Sequence, residues 1–80
     1  MTRQQLAKRV IDRVNQDFEP KDCDQVISLL AKYDDLEIER VQLAILGLAK
    51  GDKNFVQRAI YRAIEDYRDI LQAFDHGPNV

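Results

Sequence analysis

The stretch Leu36–Lys50, Leu-Glu-Ile-Glu-Arg-Val-Gln-Leu-Ala-Ile-Leu-Gly-Leu-Ala-Lys, constrains the fold more than any other part of this sequence. Wound at about 100° per residue, its apolar side chains do not keep to one stripe. Val41, Ala44, Ile45 and Leu48 point one way, and Leu36, Leu43 and Leu46 point roughly the other. A helix that is apolar around most of its circumference has to be covered around most of it. The stretch is therefore expected at the centre of a small helical bundle. Leu36, Leu43 and Leu46 are the candidate interface, covered either by the first helix or by another molecule.

The flanking sequence predicts three further helices. Thr2 and Gln5 fit a capping box, after which Leu6, Val10 and Val14 recur at helical spacing, giving a helix over about 3–17. Glu19-Pro20-Lys21 interrupts the chain, because proline lacks an amide proton and restricts the residue before it. Asp22 with Gln25 predicts a cap for a second helix over about 23–33, and Asp34 with Glu37 predicts one for the central helix over 35–50. Lys50-Gly51 is a stop, since glycine takes positive φ without penalty. Asn54 and Gln57 cap a fourth and longest helix over 54–75. Its positions Val56, Ile60, Ala63, Tyr67, Ile70 and Phe74 form a heptad-like seam, widened by Phe55, Ala59, Ile64 and Leu71. The expectation is an all-α, compact four-helix domain spanning 1–80, with a short frayed tail over 76–80 after the Gly77-Pro78 stop.

Length bears on how the central helix is covered. With 80 residues and a single cysteine, Cys23, the chain has one core and no disulfide to support it, so burial against a partner would help. The lone thiol and the lack of an apolar leader or an 18-residue apolar run point to a cytoplasmic protein without a membrane segment. The net charge of −2 conceals a segregation. Residues 17–39 hold eight acids against two lysines, a net of −6, whereas residues 40–62 hold five bases against one acid, a net of +4. Charge separated in this way can orient a partner or a second copy.

Enzymatic signatures are missing from the pattern. A nucleophile requires a neighbouring base, and the one histidine, His76, stands beside the terminal stop, far along the chain from Cys23. The acidic groups Asp22-x-Asp24 and Asp34-Asp35-x-Glu37-x-Glu39 lack the central glycine of a calcium loop, and helix capping accounts for several of these acids. No catalytic residue, metal ligand or cofactor is assigned. The acidity, length and four-helix pattern invite comparison with acyl carrier proteins, which carry their prosthetic group on a serine in an Asp-Ser-Leu triplet. The sole serine, Ser28, lies in Val-Ile-Ser-Leu-Leu, so that identity is excluded.

Two readings remain. The first is a non-enzymatic protein-interaction module, self-associating as a homodimer or binding another protein through Leu36, Leu43 and Leu46. The second is a nucleic-acid-associated regulator using a polar and basic patch of Lys53, Arg58, Tyr61 and Arg62 at the start of the fourth helix. A helix-turn-helix made from the second and third helices is disfavoured, because the helix that would enter the groove opens with Glu37 and Glu39.

Overall fold

A computed structural model describes residues 6–76, with the backbone alone for His76. The expected Thr2–Gln5 cap, the His76 side chain, and the Gly77-Pro78 stop with its tail lie outside the described residues. Four helices follow in order, α1 (Lys8–Asp17), α2 (Pro20–Leu30), α3 (Ile38–Ala49) and α4 (Lys53–His76), in an all-α domain. α3 packs against both α1 and α4, and α4 also packs against α2. The central position of α3 and the length of α4 are as expected from the sequence.

The helix starts differ from expectation at all four helices. α1 begins at Lys8 and not near residue 3, with Ala7 as its N-cap residue in an extended conformation and no side-chain cap, so Leu6 precedes the helix. α2 begins at Pro20, with Glu19 as its N-cap residue, so the proline opens the helix instead of separating two elements. The fixed φ of proline suits the first helical position, where its missing amide proton costs nothing. Asp22 therefore lies in the first turn of α2 and is not its cap. α2 also stops at Leu30, because the chain turns through 31–33 and sends the Tyr33 hydroxyl to the Leu36 carbonyl at 2.6 Å. Burial pushes the Tyr33 phenol above its ordinary pKa, and the nearby Asp35 carboxylate adds to the effect.

This turn delays α3. The Leu36 N–H donates to Asp35 Oδ1 at 2.8 Å, and Glu37 adopts a left-handed conformation at φ 51°. The Asp34–Glu37 box does not form, since the Glu37 carboxylate bonds Arg40 instead. At the far end Lys50 and Gly51 are both left-handed, at φ 50° and 85°. α4 is capped by Asp52, whose Oδ1 accepts from Asn54 N–H at 2.9 Å, so Asn54 already lies within the helix.

The larger departure is in α4. Asp66 has φ −161° and ψ 96°, so the backbone is extended at one residue between two helical limbs, 53–65 and 67–76. Neither proline nor glycine causes the break. Asp66 caps the second limb, with Oδ1 accepting from the Arg68 backbone N–H at 3.1 Å. The continuous seam expected from the sequence is thereby cut between Ala63 and Tyr67. Its members part company: Val56, Ile60, Ala63 and Ile70 are buried, Tyr67 is half-buried, and Phe74 is 48% exposed.

The core shows how α3 is enclosed. Val41, Gln42, Ala44, Ile45, Leu46 and Ala49 are all buried. On a helical wheel they occupy a single arc of about 200° centred near Ile45. Gln42 is polar and only 1% exposed; its Nε2 donates at 3.0 Å to the Leu30 carbonyl, the last of α2, which also accepts from the Tyr33 N–H at 3.1 Å. Gly47 carries the ring of Phe74, and a Cβ there would stand 2.5 Å from Phe74 Cε1. The second limb of α4 thus turns back along α3 towards its C-terminal end.

Candidate functional site

The three leucines of the candidate interface do not form one surface. Leu46 is fully buried, Leu43 is half-buried and packs on the core, and Leu36 is 62% exposed in the turn before α3. The cover over this side of α3 is α1. Glu39, Leu43 and Leu46 share a helical face by their i, i+4 and i+7 spacing, and Arg9 of α1 lies 3.4 Å from Glu39. Val10 and Val14, the buried residues of α1, belong to the same core as Leu46.

The four residues of the basic patch are also separated. Lys53 is bonded to Asp22 at 3.0 Å and ties the start of α4 to the first turn of α2. Tyr61 is turned towards the turn that follows α2, where the Lys32 ammonium lies 5.9 Å from its ring centroid. Arg58 and Arg62, one turn apart, remain together. Arg62 reaches Asp69 at 3.7 Å across the break in α4, whereas no carboxylate pairs with Arg58 among the described residues.

Arg58 and Arg62 stand on the edge of a groove that the sequence did not reveal. It is an open concavity of about 470 Å³ between the two limbs of α4. Phe55 and Ala59 line it from the first limb, Ile70 and Ala73 from the second, and Leu48 of α3 closes its floor. Ala59 and Ile70 are buried, Leu48 and Phe55 are half-buried, and Ala73 is exposed. Asp69 is the one acid in the lining. The volume falls within the range of about 300–1,000 Å³ usual for sites that accept organic groups.

The limbs face each other in a regular order. Arg62 opposes Asp69, and residues further from the break, Arg58 on one limb and Ala73 on the other, line the same groove. The bend makes the groove, and Asp66 holds the bend. Hydrogen bonds from the Arg68 side chain and backbone keep the Asp66 carboxylate below the usual aspartate range.

The remaining candidates resolve more simply. Cys23 is a free, buried thiol whose Sγ lies 3.4 Å from the Glu19 carbonyl, with the Val14 and Phe18 carbonyls at 3.8 and 3.7 Å. Among the described residues no three His, Cys, Asp or Glu side chains converge as metal ligands would. No helix there is long and apolar enough to cross a membrane.

Fold and groove together define a small all-α domain with an apolar, arginine-edged cleft. The chain matches no known family model, no curated protein and no solved structure.

Proposed function

We propose that this protein is a non-enzymatic, cytoplasmic interaction module that receives part of a partner protein in the groove between the two limbs of α4. The observation that carries the reading is the composition of this groove: five apolar residues within, and on its edge Arg58, which no carboxylate among the described residues pairs. Half-buried Phe55 and Leu48 have apolar surface still to lose, and a contact that removes it from water gains about 25 cal/mol per Å². The buried, carbonyl-bonded thiol of Cys23 fits a structural residue in a reducing compartment.

Self-association is a special case of this reading, and its surface changes. Leu46 has no exposed area to offer a second copy, which leaves exposed Leu36, half-buried Leu43 and the groove as apolar surface for a homodimer, and the groove is the surface put to the test. A photo-crosslinking residue at Ala73, in the groove, is compared with one at Asn15, on the exposed side of α1. The reading expects protein adducts from position 73 and few from position 15, with an adduct of twice the chain mass identifying a second copy. Equal labelling from both positions, or none from position 73, refutes it.

The nucleic-acid reading retains one supporting observation, the adjacency of Arg58 and Arg62 on an exposed face. It loses Lys53 to Asp22 and Tyr61 to the turn that follows α2. Two arginines around an apolar cleft that also contains Asp69 make a poor track for phosphates. Binding of a short single-stranded DNA that weakens steeply with salt and with Arg58→Ala would restore it.

A further inference from the structure

We propose that the occupant of the groove is an acidic amphipathic helix, its apolar side chains seated between the limbs of α4 and its carboxylates on Arg58 and Arg62. This inference rests on the interaction reading above and specifies the chemistry of the partner.

Three features of the groove select this occupant. The first is that both walls and the floor are helical, and their backbone hydrogen bonds within each limb are already made. An extended peptide would bring unpaired N–H and C=O groups against Phe55, Leu48 and Ile70 with nothing there to pair them. A helix satisfies its own backbone and presents only side chains at i, i+3/i+4 and i+7, the pattern used in helix-in-groove recognition.

The second feature is charge. Arg58 has no partner within the described residues, and Arg62 has only the 3.7 Å contact with Asp69, made with both side chains more than half exposed. Guanidinium groups at the edge of an apolar cleft match carboxylates flanking an apolar stripe, and they can hold each carboxylate through two hydrogen bonds. A nucleic acid satisfies the arginines but leaves the apolar interior without a counterpart. A basic helix satisfies the interior but opposes both arginines.

The third feature is Asp69, which identifies a competitor inside the site. Its carboxylate holds Arg62 from the opposite limb, where an incoming carboxylate would have to bind. Removing this competitor should strengthen binding of an acidic helix, an effect opposite to that expected of a surface substitution with no part in the site. Asp69 is thus a positioning residue for Arg62, distinct from the groups that contact the partner.

The test is selection from a display library of 14-residue helix-forming peptides with randomised exposed positions, using the full 80-residue chain as bait. Enriched clones are expected to carry apolar residues at i, i+4 and i+7 and an excess of Asp and Glu. As synthetic peptides they should bind at least tenfold more weakly to Arg58→Glu and to Ala73→Glu, and severalfold more tightly to Asp69→Asn. Both glutamate substitutions fall at exposed positions, and an unchanged helical circular dichroism spectrum verifies that the variants are folded. Clones that require Ala73 but are neutral or basic would overturn the acidic-helix assignment while leaving the groove as an interaction site. The assignment also fails if Asp69→Asn weakens binding. Clones indifferent to Ala73→Glu, or no enrichment at all, would remove both the assignment and the interaction reading.

Discussion

Replacing Leu46 by alanine separates an internal leucine from an interfacial one. Its side chain has no exposure within the single chain, so truncation leaves a cavity in the folded monomer. Buried leucine-to-alanine changes cost about 2–5 kcal/mol, the spread reflecting how far the surroundings close around the void. A chain of 80 residues, at about 0.05–0.15 kcal/mol per residue, has roughly 4–12 kcal/mol in total. The substitution therefore removes a large share of the stability. With a urea dependence of about 1 kcal/mol per M for a domain this small, the unfolding midpoint should fall by about 2–5 M, or the protein should unfold without denaturant. Leu43→Ala, at a half-buried site, should move the midpoint by less than half as much. Urea titration followed by helical circular dichroism at two protein concentrations reads both shifts. Concentration-independent midpoints, with Leu46→Ala well below Leu43→Ala, are expected. A shift for Leu46→Ala under about 0.5 M, accompanied by a lower mass in light scattering, would show that Leu46 is covered by another molecule and that the α1 packing is wrong.

Four other substitutions test the local chemistry. Gly51→Ala places a Cβ on a residue at φ 85° and 3.1 Å from the Asp17 carbonyl, so it should cost at least about 1–2 kcal/mol; Lys50→Gly, at φ 50°, should gain about 0.4–1 kcal/mol, both read by thermal unfolding. Gln42→Met keeps the volume but removes the donor to Leu30, and because that carbonyl also accepts from the Tyr33 N–H, the loss should stay near 0.5–1.5 kcal/mol in urea titrations. Asp66 has a depressed folded-state pKa, so its contribution is complete above the ordinary aspartate range and is lost only as pH falls below that range, through the folded value. Amide NMR signals of residues 67–76 should change over that acidic interval, and Asp66→Ala should abolish the dependence.

Helix number and order could be read from the sequence because they depend on local features, such as apolar periodicity and the Lys50-Gly51 stop. The apolar stripe of α1 and the burial of Val41, Ala44 and Ile45 were legible for the same reason. Cap identities were less so, since several acids compete at each junction and the winner depends on groups distant in sequence. Asp34 cannot begin α3 while the Tyr33 hydroxyl holds the Leu36 carbonyl. Asp22, which fits a capping box as sequence, is positioned for Lys53, which is 31 residues away. Gln42 was invisible as a core residue because its burial depends on a carbonyl that becomes available only where α2 ends. Arg58 and Arg62 were singled out by charge and remain together, but the apolar cleft beside them arises from a bend that periodicity cannot show.

The bend in α4 follows from the lengths of the helices it joins. α3 has 12 residues and is about 18 Å long, whereas an unbroken helix of 24 residues would extend about 36 Å. Running back along α3 from the Gly51 turn, such a helix would outrun its support after about half its length, near the position of the break. Residues beyond that point would carry Ile70, Leu71 and Phe74 into water. With Asp66 extended, Ile70 and Leu71 are 3% and 8% exposed and Phe74 rests on Gly47. The loss of a few backbone hydrogen bonds at the break is partly offset by the Asp66 cap. Burial of two large aliphatic side chains, at about 1.5–3 kcal/mol each, supplies the rest. The two limbs retain a gap because Arg58, Arg62 and Asp69 face across it, and charged groups that stay hydrated prevent the limbs from closing completely. Bending thus buries one side of the α4 seam and leaves Phe55 and Leu48 partly uncovered on the other. On this argument the groove belongs to the folded monomer, and a lengthened α3 that supported a straight α4 should abolish it.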